Sequence, residues 1–133
     1  MQTPRVVLWS DPPKMTAGAP GPSVVRDGES VWLAYFTKRD DHCAVLRFLN
    51  VTEFSFGDPN DERLYEHPLF AAGLQLYSFH EVHDEGIAAA GKRCWIATFH
   101  DDTLDVTARH AEVVVRAIEA PSAEHALAMV RSG

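Results

Sequence analysis

The sequence predicts an α+β fold, mainly antiparallel β, with one curved or two-layered sheet and a covering C-terminal helix. Short connections separate most of the strand-like runs, and they favour antiparallel neighbours because a parallel crossover needs about a dozen residues or more. Runs such as Val31–Phe36 are apolar on both faces, which favours a curved or layered arrangement. Pro121–Arg131 predicts the helix, with Ser122 as N-cap. Its apolar stripe consists of Ala123, Ala126, Leu127 and Val130.

The remaining elements follow from apolar runs and the turn residues between them. The strand-like runs are Val6–Trp9, Val24–Arg26, Ser30–Thr37, Cys43–Phe56, Leu74–Val82, Arg93–His100, Leu104–Ala108 and Glu112–Glu119. Cys43–Phe56 is too long for one regular strand, and Asn50 marks the expected bend. Asp27-Gly28-Glu29 predicts a hairpin, because Asp and Gly tolerate positive φ. Leu64–Ala72 predicts a short helical turn that ends at Gly73.

The length of 133 residues fits a single domain that spans residues 1–133. A chain of this size buries about two-thirds of its unfolded surface, which is enough for a core without metals or disulfides. Residues 10–23 are rich in proline and small side chains, so we expect a loop or a loosely packed arm there.

The charge and composition of the chain restrict the kinds of partner that we expect it to bind. A formal charge of −7 repels nucleic acid and anionic membrane surfaces alike. No apolar run reaches the roughly 18 residues that a membrane span needs, and Met1–Arg5 lacks the features of a signal peptide. Cys43 and Cys94 each lie in an apolar run and predict two reduced, buried thiols. We therefore expect a cytoplasmic protein with no nucleic-acid or membrane partner.

A polar stretch between two strand-like runs, residues 56–70, holds the first group of candidate site residues. Gly57 and Pro59 predict a tight turn. The candidate ligand-binding residues are Asn60, Asp61, Glu62, His67, His100 and Asp101. Oxygen and imidazole nitrogen atoms of this kind can bind a divalent metal, but no recognised chelate spacing supports a metal site. The alternative is a hydrogen-bonded loop that clamps the sheet.

A second polar group surrounds His100. If Asp101 and Asp102 form a two-residue hairpin turn, His100 faces Thr103, and Asp105 lies one diagonal step away on the same face. An imidazole beside a carboxylate can act as a general base with its orienting acid. The candidate catalytic residues are therefore His100, Asp105 and His67. A solvated sheet face is the alternative interpretation of the same pattern.

Three motifs in this region resemble a family of small uncharacterised bacterial proteins. They are Phe-Gly-Asp-Pro-Asn-Asp-Glu at residues 56–62, His-Pro-Leu at 67–69 and Phe-His-Asp-x-Thr at 99–103. The resemblance covers about residues 43–108. This chain has Glu66 where the family has glycine, and only His83–Lys92 where many members carry a longer insertion. The resemblance implies a shared residue pattern and no particular reaction.

Two functional hypotheses follow from the sequence. The first is a non-enzymatic cytoplasmic module that self-associates as a homo-oligomer or binds a small molecule, since its many aromatic residues can form a core and also an interface or pocket. The second is a small enzyme that uses His100 or His67 with nearby carboxylates, with or without a divalent metal. The sequence contains no Gly-rich phosphate loop, Gly-x-Ser-x-Gly elbow or Cys-x-x-Cys pair.

Overall fold

In the computed structural model, which describes residues 4–17 and 20–132, the chain forms two antiparallel sheets and a C-terminal helix. The predicted α+β class, mainly antiparallel β, is confirmed, and of the curved and two-layered alternatives the structure has the layered one. The strands are β1 (Arg5–Leu8), β2 (Ser23–Asp27), β3 (Ser30–Phe36), β4 (His42–Leu49), β5 (Glu53–Gly57), β6 (Phe79–His83), β7 (Arg93–Thr98), β8 (Thr103–Ala108) and β9 (His110–Glu119). The helices are α1 (Glu85–Ala89), α2 (Ala123–Ser132) and two 3-10 helices, Asp61–Glu66 and Phe70–Ala72.

The two sheets pack face to face around the main hydrophobic core. One sheet has five strands in the order β1-β6-β7-β8-β5, and the other has four in the order β2-β3-β4-β9. Alternate residues of β3, such as Leu33 and Tyr35, meet Trp95 and Leu104 from the opposite sheet, and all four are buried. Both sheets are covered again on their outer faces. This explains why β3 is apolar on both sides.

Helix α2 covers the outer face of the four-stranded sheet. Its buried side chains Ala123, Ala126 and Leu127 pack with Ala34 and Val45, which point away from the main core. The helix begins where Ser122 Oγ accepts a hydrogen bond from the His125 N–H group at 3.0 Å. The predicted covering helix is therefore confirmed, and the hydroxyl of Ser122 satisfies one of its free N-terminal donors.

The outer face of the five-stranded sheet is covered by residues 58–78, which connect β5 to β6 and which we call the strap. Leu64 and Leu74 of the strap pack on Val82 and Ile96 of the sheet, and all four are buried. Both 3-10 helices lie in the strap. The strap, which contains no strand, thereby covers the face of the sheet that helices would cover in an α/β protein.

Several predicted boundaries agree with the structure and others do not. Asn50 has a φ of 57° and separates β4 from β5, so the expected bend is confirmed. Gly73, with a φ of 128°, ends the second 3-10 helix as predicted. The prediction of one strand over Leu74–Val82 was wrong at its start, because β6 begins only at Phe79. Helix α1 was not predicted; Asp84 caps it by accepting hydrogen bonds from two backbone N–H groups.

The predicted two-residue turn at Asp101 and Asp102 was also wrong. Thr98 pairs directly with Thr103, so a four-residue loop connects β7 to β8, and Phe99 N–H donates to the Asp102 carbonyl. The register differs by two residues from the predicted one. A shift of two leaves every side chain on its predicted face, since strand side chains alternate with a period of two.

The predictions for the Pro-rich arm, residues 10–23, and for the two cysteines can also be compared with the structure. Described residues 10–17 and 20–22 contain an isolated bridge between Met15 and Thr37 but no strand, while residues 1–3, 18, 19 and 133 lie outside the described part. Both thiols are free; Cys43 is buried and Cys94 is partly exposed. No helix among the described residues is long and apolar enough to cross a membrane.

Candidate functional site

The structure brings together His100 and Asp61, two of the candidate ligand-binding residues. His100 follows β7, and Asp61 begins the first 3-10 helix of the strap. Nδ1 of His100 lies 2.8 Å from Oδ2 of Asp61, and the Asp61 N–H donates to the His100 carbonyl at 3.0 Å. The Tyr77 hydroxyl donates to the same carboxylate oxygen. We call Asp61, Tyr77 and His100 the polar corner.

The three side chains of the polar corner shift each other's ionisation. Hydrogen bonds from Tyr77 and His100 hold the pKa of Asp61 below its ordinary value. The bond to Asp61 raises the pKa of His100 above 6.5, and it raises the pKa of Tyr77 as well. Each shift has the sign expected when a hydrogen bond favours the charged carboxylate. The imidazole side chain stays 47% exposed, whereas the Asp61 side chain is only 12% exposed.

The predicted partnership of His100 with Asp105 is replaced by a different pair. His67 occupies the place beside Asp105, with Nε2 3.0 Å from Oδ2. Nδ1 of His67 accepts the Leu69 N–H at 3.0 Å, so Nε2 carries the proton that is donated to Asp105. His67 is buried at 9% exposure. Nε2 therefore holds the strap on the sheet, whereas Nδ1 forms a bond within the strap.

The other predicted ligand-binding residues have local roles or face solvent. Asn60 Oδ1 accepts the Arg63 N–H at 3.0 Å and caps the first 3-10 helix. Glu62 is exposed, and the carboxylate of Asp101 lies 3.8 Å from His100 Nε2 with 76% of its side chain exposed. Within residues 4–17 and 20–132, no three His, Cys, Asp or Glu side chains form a metal-binding group.

The rest of the strap is attached by buried polar groups that the sequence did not single out. His80 Nε2 accepts the Gln75 N–H at 3.0 Å, and its Nδ1 donates to the Ile96 carbonyl at 3.0 Å. Thr98 Oγ1 donates to the Gln75 carbonyl at 2.6 Å. Thr103 Oγ1 donates to the Pro59 carbonyl at 2.8 Å. Residues 58–78 are thus fixed to the sheet along their whole length by hydrogen bonds.

A cavity lies away from the polar corner. It is between the two sheets, where β6 and β8 end and β7 and β9 begin. It has a volume of about 370 Å³. We call it the end cleft, and its principal lining residues are Trp9, Asp11, Glu81, Arg93, Trp95 and Arg109. A larger groove of about 580 Å³ adjoins it and shares Glu81 and Arg93. Arg5, His83 and Lys92 also line that groove.

The end cleft contains hydrogen-bond donors without acceptors. The Trp95 indole is 4% exposed, and its Nε1 has no hydrogen-bond partner among the described atoms. The Arg109 guanidinium, which is exposed, forms no ion pair within the described part of the chain. The two tryptophans of the end cleft, Trp9 and Trp95, have ring centroids 5.9 Å apart.

Sequence reasoning did not identify the end cleft. Its residues come from the first loop, β6, β7 and the β8–β9 connection, and no spacing in the sequence links them. The only available signal was the pair of tryptophans, and this signal is weak because tryptophans also pack in hydrophobic cores. The polar corner was easier to predict, because two dense clusters of polar residues interrupt otherwise apolar runs.

Comparisons with models of known families, with curated proteins and with solved structures find no match to this chain.

Proposed function

We propose that the protein is a non-enzymatic cytoplasmic module that binds a small molecule in the end cleft and the groove beside it. The observation that carries the proposal is the cleft itself, a cavity between the sheets that is lined by two tryptophans and two arginines. The two cavities measure about 370 and 580 Å³, and ligand pockets are typically about 300–1,000 Å³. Their combined size suits a metabolite.

The lining of the end cleft combines aromatic and polar side chains. Trp95 packs with Phe48 and Trp9, at ring-centroid distances of 5.7 and 5.9 Å. Ligand pockets are lined mainly by apolar and aromatic side chains, with a few polar groups that fix the orientation of the ligand. The two tryptophans and the guanidinium groups of Arg93 and Arg109 supply both kinds of side chain.

The polar corner supports a second candidate, the small enzyme. Asp61 holds Nδ1 of His100 at 2.8 Å, and the 47% exposed imidazole presents Nε2 away from this bond. A histidine oriented in this way can act as a general base. The cavities of 580, 370 and 300 Å³ are lined by other residues. We therefore favour the binding module and assign the polar corner to holding the strap.

Self-association through a free sheet edge receives less support than ligand binding. The long edge strand β9 has irregular register where it passes Cys43, Val45 and Leu46. It also carries Glu112 and Arg116. Bulges and charges on an edge strand are devices that oppose pairing with another chain. A homo-oligomer stays a prediction that size-exclusion chromatography can test.

A thermal-shift screen of purified protein against a metabolite library tests the proposed function. A ligand that binds only the folded state raises Tm by mass action, by an amount that grows with its concentration. We expect at least one compound to raise Tm of both the unmodified protein and the His100→Ala variant. Trp9→Ala, which removes one aromatic wall of the end cleft, should abolish that shift.

The same screen can contradict the proposal in two ways. If no metabolite raises Tm, the protein is not a small-molecule module of this kind. If the shift disappears in His100→Ala and persists in Trp9→Ala, the ligand binds at the polar corner, and the enzyme hypothesis gains support.

A further inference from the structure

We infer that the ligand of the end cleft carries an oxyanion group, a carboxylate or a phosphate, which Arg109 and Arg93 recognise. This inference rests on the proposed function and adds the chemical class of the ligand. It is drawn from the two guanidinium groups that line the cleft, because neither is hydrogen-bonded to a carboxylate of the described chain.

Each carboxylate of the cleft lies near a cationic or imidazole side chain, but only Asp11 is hydrogen-bonded to one. Asp11 Oδ1 lies 2.7 Å from Arg116 Nη2, and the Asp11 carbonyl accepts a second bond from Nη1 of the same guanidinium at 2.8 Å. Glu81 lies between Arg93 and His83, with oxygen–nitrogen distances of 3.7 and 3.6 Å. Neither carboxylate therefore stands as an unopposed negative charge toward an incoming anion.

The two arginines that line the cleft, Arg109 and Arg93, form no hydrogen bond with a carboxylate of the described chain. Arg109 pairs with no carboxylate in the described chain, and Arg93 lies 3.7 Å from Glu81, which is longer than a hydrogen bond. Two guanidinium groups can present planar forks of N–H donors, an arrangement that matches the oxygens of carboxylate and phosphate.

The adjoining groove indicates where the rest of the ligand lies. The groove shares Arg93 and Glu81 with the end cleft, so a molecule bound at the arginines can extend into it. Arg5 and Lys92 line the groove as well. Asp84 and Glu85 line it too, so the groove offers both cations and carboxylates to the rest of the ligand.

The test is a titration followed by tryptophan fluorescence, because Trp9 and Trp95 line the cleft. Trp32 lies on the opposite side of the four-stranded sheet, near Arg47 and Arg131, and Trp32→Phe removes its background signal. The probes are benzoate and inorganic phosphate, each at millimolar concentration. Benzyl alcohol is the matched neutral probe, since it keeps the ring of benzoate and lacks the charge.

We expect benzoate or phosphate to change the fluorescence and raise Tm, while benzyl alcohol does neither. Arg109→Gln should weaken the affinity at least about tenfold, as loss of one charge-assisted contact implies. The control Arg26→Gln changes an exposed arginine on β2, away from the cleft, and should bind as the unmodified protein does. Urea unfolding checks that both variants are equally stable.

Three outcomes overturn the oxyanion assignment. They are equal binding of benzyl alcohol and benzoate, unchanged affinity of Arg109→Gln, and no response to either anion. None of them removes the proposed function if the metabolite screen yields a neutral or cationic ligand that Trp9→Ala fails to bind. Failure of that screen as well removes the binding module together with the assignment.

Discussion

His67 connects the strap to the five-stranded sheet through Nε2 and fixes the strap's own backbone through Nδ1. Its Nε2 lies 3.0 Å from Asp105 Oδ2, and its Nδ1 accepts the Leu69 N–H at 3.0 Å. A predicted catalytic residue is thus fully occupied by structural bonds. The nearby exposed His100 keeps one ring nitrogen outside its bond to Asp61.

His67→Ala should destabilise the protein, because it removes both bonds and leaves the Leu69 N–H without its acceptor. We expect the free energy of unfolding in urea to fall by about 1–3 kcal/mol. The matched control is His125→Ala on the exposed face of α2, which should change it by less than about 0.5 kcal/mol. Equal losses in both variants would show that His67 does not hold the strap.

Stability should fall in mild acid because of His80. Burial lowers the pKa of His80 below 6.5, and protonation would cost Nε2 its bond from Gln75 N–H. The unfolded chain takes up this proton below pH 6.5, whereas the folded protein does not. The contribution of His80 is therefore complete above pH 6.5 and is lost as the pH falls toward and through the folded pKa.

The comparison with His80→Gln isolates this effect from other titrating groups. The unmodified protein should be the more stable of the two at neutral pH, and the difference in free energy of unfolding should shrink as the solution is acidified. A difference that stays constant or grows in acid would contradict the assignment of a neutral, doubly bonded His80.

Asp61→Asn should lower the pKa of His100, since the carboxylate is the main cause of its elevation. An NMR titration of the imidazole protons should find a pKa above 6.5 in the unmodified protein and a value closer to 6.5 in the variant. Asp101→Asn is the control; its carboxylate is 3.8 Å away and exposed, so it should have a smaller effect. A larger shift from Asp101→Asn would disprove the polar corner as described.

Leu127→Ala should test the packing of α2 on the four-stranded sheet. Leu127 is 2% exposed and contacts a cluster that includes Cys43 and Val45. Removing its side chain should cost about 2–5 kcal/mol in urea unfolding. Met129→Ala on the same helix, where Met129 is 41% exposed, should cost much less. Similar costs for the two variants would mean that α2 does not bury this face.

Much of the fold could be predicted from local patterns. Alternating and apolar runs located most strands, and Ser122 with the stripe at Ala126 and Leu127 located α2. Residues Leu74–Ser78 resembled a strand but belong to the strap, because Thr98 and His80 bind the backbone of Gln75 instead of a neighbouring strand. Tertiary hydrogen bonds overrode the local pattern there.

The residues of the polar corner could be predicted from the sequence better than those of the end cleft. Asp61 and His100 lie in polar clusters, so their importance was visible, but the pairing of Asp105 with His67 depended on the hairpin register. Helix α1 is too short for a periodic pattern. The end cleft is lined by Trp9 and Arg109 from distant segments, and no rule of spacing predicts that both residues lie at one cavity.

The central claim, that a small molecule binds at the end cleft and not at the polar corner, can be tested by equilibrium dialysis. Purified protein is dialysed against a metabolite extract, and compounds enriched with the protein are identified by mass spectrometry. We predict enrichment of at least one oxyanion by the unmodified protein and by His100→Ala, and its loss in Arg109→Gln. Enrichment that survives Arg109→Gln and disappears in His100→Ala would contradict the claim.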